Sequence, residues 1–120
     1  MPWFAPSTTG QAGSIALRQR YLDGSLSVTV PTLLFLEVLN VAGRQLRWTA
    51  ELLSELAAQL EDLGFHTGEP TLGAVAEWAG RGLTAYDAAY VALAQDLAVP
   101  LITADREIIR AAGQIARPPA

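Results

Sequence analysis

The stretch SLSVTVPTLLFLEVLNVA, residues 25–42, constrains this chain more than any other. "SLSVTV" alternates and is rich in β-branched residues, which predicts a strand over 26–30. Pro31 ends it, because proline has no N–H for a strand ladder. The apolar run that follows, through Arg47, is too long for a strand and reads as a buried helix. A strand that passes straight into an apolar helix is the repeating unit of α/β architecture.

The rest of the chain repeats that alternation. "AGSIALRQRYLDG" reads as an amphipathic helix ending at the Asp23-Gly24 turn. "TAELLSELAAQLEDLG" reads as a helix with Thr49 as N-cap and Gly64 past its end. "FHT" is a weak strand, and "PTLGAVAEWAGRG" a helix with Pro70 near its first turn. "LTAYDAAYVALAQDLA" is a helix capped by Thr84, "VPLIT" a short strand, and "ADREIIRAAG" a last helix closed by Gly113. The expected organisation is one domain over 1–113, with residues 114–120 as a disordered tail. The expected class is α/β with a parallel sheet. Two clear strands and one weak one are few for such a sheet, which is normally covered on both faces.

Composition narrows the function. Among 120 residues, 51% are hydrophobic and 17% charged. No apolar run is long enough to span a bilayer, and the start has neither the basic n-region nor the h-region of a signal peptide. Cysteine is absent, which removes disulfides and thiolate metal sites. These features predict a cytoplasmic protein without a membrane partner. The formal net charge is −4, and the eight basic residues are all Arg. Bulk charge therefore does not favour nucleic acid, which would be held by local arginines, metal ions or a partner subunit. No G-x-G-x-x-G and no G-x-x-x-x-G-K-[ST] is present, so a nucleotide-binding or flavodoxin-like domain lacks support.

Three carboxylates carry the chemistry. Glu37 is flanked by Leu33, Leu34, Phe35, Leu36, Val38 and Leu39, with Asn40 three residues on and no Lys or Arg placed to pair with it. A buried, unpaired carboxylate is costly unless a partner or a metal comes from elsewhere. The plain alternative is a distant Arg or a position at the helix edge. Asp87 fits a capping box with Thr84, and Asp105 fits an N-cap. All three nevertheless fall where strands end and helices begin, at the carboxyl edge where open α/β folds bind ligands. Clustered acids repel, and Mg²⁺ or Mn²⁺ is the natural remedy. Ions held this way activate water for phosphoryl chemistry. Thr103 would serve a metal-bound water or, more ordinarily, the turn itself. The single histidine, His66, reads as a surface-loop residue, and Tyr86 and Tyr90 as core or interface.

"LTAYDAAYVALAQDLAVPLITADREI" closely resembles the C-terminal half of PIN-domain proteins, in particular VapC-type toxins of bacterial toxin–antitoxin pairs. "VPTLLFLEVLNVAGRQLR" is similar to their second helix, with Glu37 and Asn40 in place. The resemblance implies a three-layer sandwich with a central parallel sheet flanked by helices. It implies a Mg²⁺- or Mn²⁺-dependent endoribonuclease acting on tRNA or other structured RNA, a homodimer, and a cognate antitoxin whose tail enters the acidic site. Glu37, Asp87 and Asp105 match three of the family's four acidic positions as catalytic and metal-binding residues. Asn40 and Thr103 match its supporting ones.

One departure matters. The family begins with a strand ending in Asp, whereas here the chain opens on "MPWFAP" and has no Asp before Asp23. The first, central strand and the first acid are expected to be missing. The preferred expectation is a ribonuclease whose sequence is N-terminally truncated. The alternative is a non-catalytic module whose acidic edge receives a basic partner or antitoxin tail.

Overall fold

The computed structural model describes residues 22–24 and 26–119. The opening "MPWFAP" and nearly all of the first expected helix lie outside these residues. The Asp23-Gly24 turn lies within them, with Gly24 at φ +82°, a conformation that suits a residue without Cβ.

The elements alternate as the sequence predicts. β1 (Thr29–Val30) passes through Pro31 into α1 (Leu33–Asn40), which loosens into a π-helical turn over Val41–Gln45. Then follow α2 (Ala50–Asp62), β2 (His66–Thr67), α3 (Leu72–Ala79), α4 (Ala85–Leu97), β3 (Leu101–Ile102), α5 (Arg106–Ala111) and β4 (Ala116–Arg117). The weak strand at "FHT" is β2, and its His66 is exposed.

Local chemistry sets the helix ends. The Thr49 hydroxyl accepts from the Leu52 N–H at 3.2 Å and starts α2. Gly64 follows that helix at φ +73°. The Thr84 hydroxyl accepts from the Asp87 N–H at 3.0 Å and starts α4. α4 ends on Ala98, which is left-handed at φ 55°.

α4 is the spine. Its residues from Ala88 to Ala94 are all buried, and four of those seven are alanines that let neighbouring elements approach closely. One face meets Trp78, Leu83, Ile108, Ala112 and Ala116. Tyr90 turns to a second cluster with Val30 and Leu34, and Leu101 packs against both. Trp78 is fixed by donating its indole N–H to Gln95 at 2.8 Å, with the Arg81 guanidinium 4.4 Å from its ring centroid.

Two expectations need correction. Residues after Gly113 are not a tail. β4 pairs in parallel with β3, Leu101 opposite Ala116, and Ala116 is 1% exposed. The short segment carries prolines and few apolar residues, so its sequence signals a terminus. Its order comes from pairing with β3, a tertiary contact. The run containing Glu37 is also less buried than its composition implies. Only Leu34 of α1 is buried, while Leu36 is 69% exposed. Apolar residues all round a helix predict burial only when something covers every face.

Candidate active site

Glu37 lies in the second turn of α1, beyond the end of β1. Asp87 lies in the first turn of α4. Asp105 follows β3 and caps α5. Three separate elements thus bring the three acids to one edge. Their mutual influence shows in Asp87, whose carboxyl is held above its ordinary value. Burial is the main cause, followed by repulsion from Asp105, while Glu37 adds a smaller push in the same direction. A bond from the Thr84 hydroxyl opposes these.

Asp105 has the local role that its sequence context allows. Its Oδ1 accepts from the N–H groups of Glu107 at 2.9 Å and Ile108 at 3.2 Å. The turn before it is tied by Thr103, whose hydroxyl accepts from the Asp105 N–H at 3.0 Å. Thr103 is fully buried, so its hydroxyl serves the turn. Both of the capping bonds use Oδ1, which leaves Oδ2 for another ligand. Cap and site are compatible roles for one carboxylate.

The partner of Glu37 is not an arginine. The Tyr90 phenol, 6% exposed, donates its hydrogen to Glu37 Oε1. Burial, that hydrogen bond and the nearby charges of Glu37 and Asp87 hold the phenol far above its usual range, so it stays protonated as a donor. Of the two places expected for Tyr90, core or interface, the structure gives the core, and the sequence assigns no partner to its hydroxyl. The available signal is general: a buried tyrosine needs a hydrogen-bond partner, and Glu37 is the carboxylate in an apolar run with no basic neighbour. Tyr86, four residues away, is 67% exposed and takes no part in that core. Asn40 closes α1 as an exposed residue.

The donor chemistry suits a hard divalent cation, since the acids offer carboxylate oxygens and no soft ligand. Among the described residues, no three acidic or histidine side chains stand close enough together to hold one metal ion. Also among the described residues, no helix is long and apolar enough to cross a membrane.

Comparison with known proteins agrees with this architecture. The model of one family, the PIN domain, matches residues 4–114. No curated protein and no solved structure matches the chain. PIN domains are generally metal-dependent nucleases. With helices and short parallel strands in alternation, acids gathered beyond the strand ends, and a match over nearly its whole length, the chain belongs to the PIN-domain family.

Proposed function

We propose that this chain is the larger part of a Mg²⁺- or Mn²⁺-dependent endoribonuclease, a VapC-type toxin of a toxin–antitoxin pair. The observation that supports this reading is the convergence of Glu37, Asp87 and Asp105 from three elements on one edge, close enough for each of the others to raise the Asp87 pKa. Like charges gathered this way weaken the fold and are kept where they hold something positive. When bound, Mg²⁺ or Mn²⁺ supplies an activated water and neutralises charge on the scissile phosphate.

The chain's own residues would do the rest. Glu37, Asp87 and Asp105 would hold the ion. Tyr90 orients Glu37, and Thr103 with the cap bonds fixes Asp105. Asn40 would meet substrate at the exposed end of α1. RNA, with tRNA among the candidates, is the proposed substrate. A cognate antitoxin with a basic tail is the proposed inhibitor, a homodimer the proposed assembly, and the cytoplasm the proposed location. The fold that this reading requires is the three-layer sandwich, completed by a first strand that carries a fourth acid.

The absence of a three-ligand cluster among the described residues favours a second reading. In it the acidic edge binds an Arg-bearing partner without turnover. Two experiments separate the readings. RNA is incubated with the protein and Mg²⁺ or Mn²⁺, with EDTA and Asp87→Asn as controls. Mn²⁺ is also titrated calorimetrically into the 120-residue chain. The nuclease reading expects cleavage that EDTA and Asp87→Asn abolish. Cleavage surviving both would refute it. No cleavage together with no Mn²⁺ binding would support the binding module.

A further inference from the structure

α4 leaves the core at its first turn. Ala88 to Ala94 are all buried, whereas Thr84, Ala85 and Tyr86 are exposed. Tyr86 is 67% exposed, the most of any aromatic side chain among the described residues, against 40% for Trp48. The ring is carried on a firm support. The body of the helix behind it is buried, and the Thr84 hydroxyl ties the turn by accepting from the Asp87 N–H.

Tyr90 fixes where that ring stands. Residues four apart share a helix face, and helical side chains lean toward the N-terminus. The Tyr90 hydroxyl reaches Glu37 from this face. Tyr86 lies on it one turn nearer the helix start, about 5.4 Å along the axis. At about 100° per residue, the direction in which Tyr90 meets Glu37 falls between Tyr86 and Asp87. Tyr86 therefore borders the acidic edge beside Glu37. The edge has a second apolar neighbour in Leu36, which precedes Glu37 on α1 as Tyr86 precedes Asp87 on α4, and which is 69% exposed.

A lone exposed tyrosine is ordinary on a protein surface. This one adjoins one acid and shares a face with the donor to another, so it is placed to touch whatever those acids act on. It adds nothing to the core, and tyrosine forms helix less well than alanine. The charge balance gives the ring a use. The chain carries a net charge of −4 and no lysine, so its ionic grip on phosphates is short. Stacking holds a base without any charge, because every base has a π-face.

Taking the nuclease reading above as its basis, we infer that Tyr86 is the base-stacking residue of the site. It holds one unpaired purine beside the scissile phosphate and so selects where the RNA is cut. The base is unpaired because a base within a duplex has no free face to offer. It is a purine because the larger ring system covers more of the phenol.

The probe is an oligouridylate of about ten nucleotides with one central 2-aminopurine. It is titrated into the protein with Ca²⁺ in place of Mn²⁺, so that binding is read without turnover. Wild type and Tyr86→Phe should bind it and quench the 2-aminopurine emission. Tyr86→Leu keeps an apolar side chain without a ring, and should bind about tenfold more weakly with the quench lost. That ratio should hold as KCl is raised, because stacking releases no counterions. Annealing the probe to its complement should remove the dependence on Tyr86. With Mn²⁺, wild type should cut beside the 2-aminopurine. Tyr86→Leu should scatter its cuts along the uridines, with KM raised and kcat unchanged. Equal affinity and equal quench in wild type and Tyr86→Leu overturn the assignment, as does the absence of binding by wild type. A quench that depends on Tyr86 without any cleavage keeps the stacking role and refutes only the nuclease reading. Cleavage at the same positions and rates in both proteins keeps the nuclease reading and removes Tyr86 from it.

Discussion

Tyr90 and Glu37 are 53 residues apart in sequence and joined by a hydrogen bond in which the phenol donates to the carboxylate. The bond links α4 to α1 beside the acidic edge. It also resolves the problem that Glu37 poses, a carboxylate in an apolar run with no basic neighbour. The phenol brings no charge of its own, whereas an Arg partner would have set a positive charge beside the carboxylate.

Tyr90→Phe should keep the ring in the core and remove only this donor. The expected loss of stability is about 1 to 2 kcal/mol, in the range of hydrogen bonds to charged groups. Chemical denaturation of Tyr90→Phe, Glu37→Gln and the double variant should give a coupling energy near 1 kcal/mol. Additive effects would mean that the pair does not interact in solution.

Asp87→Asn should raise the thermal midpoint while removing the site's function. Burial and the charges of Asp105 and Glu37 hold the carboxyl above its ordinary value of 3.8. The sign follows from linkage. A raised folded pKa means that the protonated form is favoured in the native state, so Asp87's contribution is complete below about pH 3.8 and is lost as pH rises through the higher folded value. Wild type and Asp87→Asn should therefore converge in acid and separate above it, with the variant the more stable. A wild type that is the more stable at neutral pH would contradict the assigned repulsion.

Asp105 separates cap from ligand. Asp105→Ala should cost about 1 kcal/mol through two lost capping bonds. Asp105→Asn keeps a good N-cap and should leave stability nearly unchanged. If the charge also serves the site, Mn²⁺ affinity should fall in both variants, as calorimetry would show.

Ala116→Asp should unfold the domain or destabilise it by more than about 3 kcal/mol, because it places an unpaired charge at a position 1% exposed. Circular dichroism melts would show this directly. A neutral outcome would restore the disordered tail that the sequence suggested.

Ala98→Gly should stabilise the chain by about 0.5 to 1 kcal/mol. Ala98 ends α4 at φ 55°, where glycine carries no Cβ penalty. Urea midpoints of the two proteins would test it.

The sequence by itself determined what is local. The N-caps at Thr49, Thr84 and Asp105 are visible because each accepts from an amide no more than three residues away. The order of strands and helices is legible for a similar reason, since periodicity and breakers act over a few residues. Three things depended on the tertiary structure. Tyr90 became the partner of Glu37 only when α4 packed beside α1. Residues after Gly113 became a strand only because β3 offers its edge to Ala116 and Arg117. The strands form two separate parallel pairs, β1–β2 and β3–β4, because no described segment fills the space between Thr29 and Ile102. Each of these rests on contacts between residues distant in the chain, and such contacts form only after long loops close and elements pack together.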